Sequence, residues 1–430
     1  MPQTFSIVIT VNSPGEVSGW LKPTVKAIRE WNRPVTITVF IPPCTFASGT
    51  EKNVVQAIPG IDLVVTSSEL FRYIVLGRKP KGFHPSPQGI VLFLGGDLTY
   101  AALLAKRLKY PALAYSEGVV NWTNIFRYFA TPYPKNARKL AAKGAPASQI
   151  RTIGNLMLDA IPTDLDGKKI REELKIGDKP VLLLMPSSRP EHFEYMLPFL
   201  IQVSGEIHKQ IPGLYPVISI SPFITDRQLA GVLTGEYAGV LGVTGSYKDG
   251  QTVHGVTSWE QPGSFLTSDG TVISAFRGRQ YELMAAADLA ISLPGTNTFE
   301  LTAFGVPTIV TLPLTHPERI PIEGPIGLLG KIPGFGGWLK RTLLPRMALK
   351  IKYTSWPNRL AEAMITPEVR GLITAGDVSA VAVSLLADPE ERKRISGELR
   401  KLVGERGAAP KLVQLMEIII SEHYGGFESQ

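Results

Sequence analysis

Residues 287–314, ADLAISLPGTNTFELTAFGVPTIVTLPL, run a short apolar stretch, a Pro294-Gly295 break, a helical pattern and a second apolar stretch together without interruption. Thr296, Asn297 and Thr298 can cap the helix that follows Gly295. The unpaired N–H groups of such a start carry roughly half a positive charge, which suits a diphosphate. Glu300 lies one turn further in, where a carboxylate can accept from the two hydroxyls of a ribose. A second stretch, LLLMPSSRPEHFEYMLP at 182–198, repeats the strand-turn-helix pattern. Ser187 and Ser188 can cap its helix or bind phosphate, and the Arg189 guanidinium can hold phosphate or sugar oxygens. A surface arginine is the plain alternative, although a helix start disfavours a cation. His316, in the loop after the second apolar run, is positioned to approach the same diphosphate. Strand-turn-helix units also occur in α/β proteins that bind no nucleotide, so spacing alone leaves both readings open.

These residues need a framework. Apolar β-type runs at 5–11, 35–41, 61–65, 90–94 and 112–115 alternate with helical patterns at 18–31, 98–109 and 134–143. That alternation predicts a mainly parallel sheet covered on both faces. A polar run at 162–179 separates the halves; its Asp164-Leu165-Asp166 imitates a metal-binding carboxylate pair, but no strand end presents it. The second half restarts with strands at 181–185, 215–220 and 271–275, while 231–270, rich in Gly, Ser and Thr, reads as a hairpin with loops. Helices are expected at 378–386, 389–403 and 410–421. At 430 residues the chain suits two domains of about 200 residues each. The expected fold is α/β: two Rossmann-like doubly wound domains facing a cleft, with ligands at the C-terminal ends of the strands. The boundaries read as 1–162, a linker at 163–179, and 180–430.

Composition narrows the function classes. A formal net charge of +8 and a pI near 9.3 call for an anionic partner. The single cysteine, Cys44, excludes an internal disulfide and fits a reducing compartment. The six histidines have no zinc-binding spacing, so no metal is expected. Gly15-x-x-x-Gly19 lacks the rest of a dinucleotide fingerprint, which argues against a nicotinamide cofactor. No recognised nucleic-acid module accompanies the charge. The N-terminal sequence lacks signal-peptide features, and no apolar run reaches the ~20 residues that cross a bilayer.

Several segments resemble the lipid-A-disaccharide synthase family of GT-B glycosyltransferases. SPGEVSGW at 13–20 is similar to the family's Gly-Glu-Ala-Ser-Gly-Asp turn, LGGDLTY at 94–100 sits where the family has Gly-x-Asp, and IGNLMLDAI at 153–161 resembles the close of its first domain. The 182–198 and 287–314 stretches resemble its donor half. TSWPNRLAE at 354–362 and TPEVRGLI at 366–373 resemble its Leu-Pro-Asn and Pro-Glu-Leu-Leu segments. Trp20 departs from the pattern, standing where the family has Asp. The resemblance implies transfer of a sugar from a UDP-sugar, UDP-N-acetylglucosamine or an acylated derivative, to a lipid-linked acceptor, and with no metal-ligand spacing in the sequence neither a metal nor a cofactor is expected. It implies a base role for Asp97, whose other reading is the cap of helix 98–109. Glu16, in its glycine-rich turn, reads as a contact to the acceptor sugar or as a cap. A UDP-sugar epimerase of the same fold and a non-catalytic, membrane-associated sugar-binding protein are the rival readings.

Between Glu323 and Glu362 the chain has no acidic residue, while the basic apolar segment 324–352 carries Lys340, Arg341 and Arg346 beside Phe335 and Trp338. Such a mixture suits an anionic membrane surface at about 1 kcal/mol per basic residue, and equally a packed helical hairpin with solvated lysines. The expected location is cytoplasmic, peripheral on the inner face of the cell membrane.

Overall fold

The computed structural model describes residues 4–43, 51–233, 246–247, 263–266, 271–314 and 350–425. The chain divides into two units, Met1–Ile161 with Gly404–Gln430, and Pro162–Val403. The first holds a seven-stranded sheet of β1 (Phe5–Thr10), β2 (Val35–Phe40), β3 (Leu63–Val65), β4 (Gly89–Phe93), β5 (Ala112–Tyr115), β6 (Phe126–Thr131) and β7 (Ile150–Thr152). Its order is β3-β2-β1-β4-β5-β6-β7, and every pairing is parallel. β1 and β4 are buried at every position, because helices cover both faces of a parallel sheet.

The second unit holds β8 (Val181–Met185), β9 (Tyr215–Ile220), β10 (Ser246–Tyr247), β11 (Gly263–Leu266), β12 (Val272–Arg277), β13 (Leu289–Ser292), β14 (Thr308–Pro313) and β15 (Glu368–Gly371), ordered β10-β11-β12-β9-β8-β13-β14-β15. β10 and β11 pair antiparallel at one edge, and the other six strands run parallel. Period-two alternation sorts β8 between two cores. Leu182 and Leu184 join Phe193, Met196 and Phe199 on one face, while Val181, Leu183 and Met185 join Leu283, Met284 and Leu301 on the other.

Three sequence expectations change. The final helix, Ala408–Tyr424, falls in the first unit rather than in a domain running to 430. Trp31 Nε1 donates to Glu417 at 2.6 Å, the Tyr424 hydroxyl donates to Gly89 O at 2.9 Å, and Asp159 accepts from Gly407 N and Ala409 N at 2.7 and 2.6 Å. The linker contains a helix, Gly167–Glu173, within the second unit; Arg171 pairs with Asp288 at 2.5 Å, and Asp166 caps the helix through Lys168 N. The helix expected at 18–31 starts earlier, at Pro14, and runs through a π-turn at Val17–Leu21 to Arg29. No helix among the described residues is long and apolar enough to cross a membrane.

Candidate functional site

In each unit the strand order reverses once, between β1 and β4 and between β8 and β13. At such a reversal the flanking connections diverge and leave a crevice at the C-terminal strand ends, where open α/β sheets hold ligands. Of the candidate residues singled out from the sequence, those within the described residues fall at these two places.

In the first unit, β1 leads into residues 12–16 and its parallel neighbour β4 leads into Gly95-Gly96-Asp97. Glu16 joins the two connections. Its Oε2 accepts from Asn12 N at 3.3 Å and Ser13 N at 3.1 Å, and the Gly96 backbone also bonds it. Burial pushes its carboxyl up, and these hydrogen bonds only partly offset that. A Cβ on Gly95 would overlap the Glu16 carboxylate, which would have to shift to make room for it. Asp97 is exposed and caps helix Leu98–Leu108 by accepting from Thr99 N at 2.8 Å. The structure thus brings Glu16 and Asp97 to one strand edge and engages both in holding it.

Trp20 lies in the π-turn. Its ring stands edge-on to Tyr115 at 5.2 Å, and its buried Nε1 has no hydrogen-bond partner. Tyr115 is wholly buried, with its hydroxyl donating to Gly154 O and accepting from Leu156 N, both at 3.2 Å.

In the second unit, Met185 of β8 lies opposite Ser292 of β13, so the connections 186–189 and 293–296 leave from adjacent strand ends. Ser187 takes a φ of 152°, a sparsely populated conformation for a residue with a side chain and a cost of order 1–3 kcal/mol. Its Oγ accepts from Arg189 N at 3.0 Å, and Arg189 occupies the N-cap of helix Pro190–Gln210. Ser187, Ser188 and Arg189 are each partly exposed. Gly295 is exposed at the start of helix Thr296–Phe304, and nothing lies within 4 Å of the position a Cβ would take. Thr296 and Asn297 are partly exposed beside it.

Two residues of the expected set turn inward. Thr298 is 2% exposed; its hydroxyl donates to Gly295 O at 2.7 Å and accepts from Trp356 N at 3.1 Å, so it braces the turn instead of facing a ligand. Glu300 is 5% exposed and its Oε1 accepts from the Tyr281 hydroxyl at 2.9 Å. Burial raises its carboxyl to about 7 against the lowering pull of that bond. Tyr281 and His192 carried no local signal in the sequence. His192 sits one turn after Arg189, where burial and then the arginine's charge lower its imidazole to about 4. Its Nε2 and the Tyr195 hydroxyl are both buried without a partner, with the rings 6.0 Å apart. His316, Phe335, Trp338, Lys340, Arg341, Arg346 and Cys44 lie outside the described residues.

No protein-family model matches the chain. The lipid-A-disaccharide synthase of Gloeothece citriformis is 23% identical over 297 residues, 68% of this chain and 62% of the relative. That of Pseudomonas entomophila is 24% identical over 242 residues, 56% of this chain and 48% of the relative. The chain therefore spans about half to three-fifths of the length of these relatives. It is distantly related to the lipid-A-disaccharide synthases. Among solved structures, the S. aureus MnaA–UDP complex aligns over 99% of this chain and 100% of its own, with a TM-score of 0.59 at 13% identity. A Neisseria meningitidis UDP-GlcNAc 2-epimerase bound to UDP-GlcNAc aligns over 96% and 99%, with a TM-score of 0.52 at 13% identity. These likenesses carry the fold, two Rossmann-like domains of the GT-B type.

Proposed function

We propose that this distant relative of the lipid-A-disaccharide synthases transfers a sugar from a UDP-sugar, UDP-N-acetylglucosamine or an acylated derivative, to a lipid-linked acceptor at an anionic membrane surface. The observation that carries the reading is the pair of connections at the β8/β13 reversal. A strained serine, a partly exposed arginine and an open glycine at a helix start converge there on one strand edge. Backbone amides at 295–297 and the Arg189 guanidinium meet the diphosphate. Asp97 takes the proton from the acceptor hydroxyl as that oxygen bonds to the sugar's anomeric carbon. The bond from that carbon to the diphosphate breaks, and UDP leaves with its charge held by the same amides and guanidinium. The UDP-sugar is a substrate, and no metal or cofactor is invoked.

A described surface fits the lipid side. Helix Ser67–Leu76 exposes Phe71, Val75 and Leu76 by 57%, 58% and 58%, and Arg72, Arg78, Lys79 and Lys81 are exposed around them. Apolar anchors ringed by cations suit an anionic bilayer surface. Segment 324–352 remains a proposed second contact.

The test incubates the full chain with a panel of UDP-sugars and bacterial membrane lipids, then identifies products by mass. A lipid heavier by one sugar, formed with stoichiometric UDP release, is the expected result. An isomerised UDP-sugar without lipid product points instead to an epimerase. No turnover with any donor leaves a sugar-binding protein.

A further inference from the structure

A polar cluster with many hydrogen bonds is linked to the Gly295 turn, in two segments that the proposed chemistry does not use. Glu368, at the start of β15, has a side chain with no exposed surface. Its oxygens accept from Thr354 N at 3.0 Å and Thr354 Oγ1 at 2.6 Å, from Ser355 N at 2.9 Å and Ser355 Oγ at 2.8 Å, and from Asn358 Nδ2 at 2.9 Å. Burial pushes this carboxyl up, but the bonds from Thr354 and Ser355 outweigh it and hold it below its ordinary value. Asn358, also wholly buried, donates to Thr366 O at 2.7 Å and accepts from Ile365 N and Thr366 N at 2.8 and 2.9 Å. Arg370, two residues along β15, donates to Ile351 O at 2.8 Å. The strand thus grips the segment 351–358 at several points.

That grip ends at the donor turn. Trp356 N–H donates to Thr298 Oγ1, and the Trp356 ring stands edge-on to Phe299 at 4.6 Å. Thr298 in turn holds the Gly295 carbonyl twice, through its hydroxyl at 2.7 Å and its own N–H at 3.1 Å. In a trans peptide the carbonyl and the following N–H point in opposite directions. Fixing Gly295 C=O toward Thr298 therefore aims Thr296 N–H away from the helix, toward the open side of the turn.

We propose that Glu368 and Asn358 are positioning residues for the diphosphate turn, acting through Trp356 and Thr298 to fix the direction of the Thr296 amide. The inference rests on the donor reading of this turn and adds what holds it ready. A buried carboxylate suits this place because five donors from three residues converge on it and Arg370 Nε pairs with it at 3.4 Å. A glutamine there has one acceptor oxygen and brings its own N–H groups against those donors.

The test compares Glu368→Gln, Thr298→Val and Thr298→Ser with the parent in two measurements: UDP titration by calorimetry and amide hydrogen exchange at 296–299. Loss of a hydrogen bond to a charged group corresponds to roughly tenfold or more in an equilibrium constant and loss of a neutral one to roughly fivefold, so Glu368→Gln should weaken UDP about tenfold and Thr298→Val about fivefold. Thr298→Ser, which keeps the hydroxyl, should stay within about twofold, and the Glu368→Gln/Thr298→Val double variant should be far less than additive because both break one linkage. Exchange at 296–299 should quicken in Glu368→Gln and Thr298→Val without UDP present. Parental UDP affinity in Glu368→Gln, or an additive double variant, overturns the proposal. If the parent itself binds no UDP, the donor reading falls, and exchange still decides the positioning: quickened exchange supports it and unchanged exchange overturns it. If Glu368→Gln does not fold, the contrast between Thr298→Val and Thr298→Ser decides in the same way.

Discussion

Asp97 can be asked to separate its two duties because asparagine caps a helix about as well as aspartate but cannot take a proton. Asp97→Asn should therefore keep the parent's melting temperature while turnover falls by about 10²-fold or more. Turnover near the parental rate would leave Asp97 as the cap of helix Leu98–Leu108 alone. Glu300 supports a pH prediction whose sign follows from its burial. Its carboxyl titrates at about 7 when folded against an ordinary 4.5, so the native state keeps a proton that the unfolded chain loses. The stability it contributes is present below pH 4.5 and is lost as pH rises through 7, by about 3 kcal/mol in all. Glu300→Gln should remove that decline, read as the difference between urea-unfolding free energies of variant and parent across this window. His192 works oppositely: its imidazole is lowered to about 4, so its contribution is lost as pH falls from the ordinary 6.5. Parallel profiles for Glu300→Gln and parent would mean that Glu300 is charged in the folded protein.

Among the elements, those that place the site were the most legible. β1, β4, β8 and β13 are mostly apolar and buried at every position because both faces of a parallel sheet are covered, and the turns after them carry glycine, proline and capping residues. β6, β7 and β15 were missed. β6 carries the exposed Arg127, whose partner Glu422 is supplied from the far end of the chain, and β15 carries Glu368 and Arg370, whose partners return from residues 351–358. Local pattern cannot report such distant pairings. The inward roles of Thr298 and Glu300 were hidden for the same reason, since Trp356 and Tyr281 lie 58 and 19 residues away. Helix Ser67–Leu76 was also unread, and its exposed apolar face makes an element-scale prediction. Replacing Phe71, Val75 and Leu76 with serine should reduce flotation with anionic vesicles and leave UDP affinity unchanged. Binding to those vesicles should weaken as salt rises, because attraction to the surface is screened over about 8 Å at physiological ionic strength. Undiminished flotation of the triple variant would move the lipid contact to another surface.

Across the whole molecule, two sheets built on one plan each reverse their strand order once, and each reversal gathers residues of a different kind. Carboxylates stand at the first; a cation, serines and open backbone amides stand at the second. The net charge of +8 favours anionic substrates in general, so the specific claim is the place where the nucleotide sits. Amide hydrogen exchange of the full chain with and without saturating UDP measures that place directly. Exchange should slow at 186–189 and 293–300 while 12–16 and 95–97 keep their free-protein rates. Unchanged exchange at 186–189 and 293–300, or protection confined to the first unit, would contradict a donor site at the β8/β13 reversal.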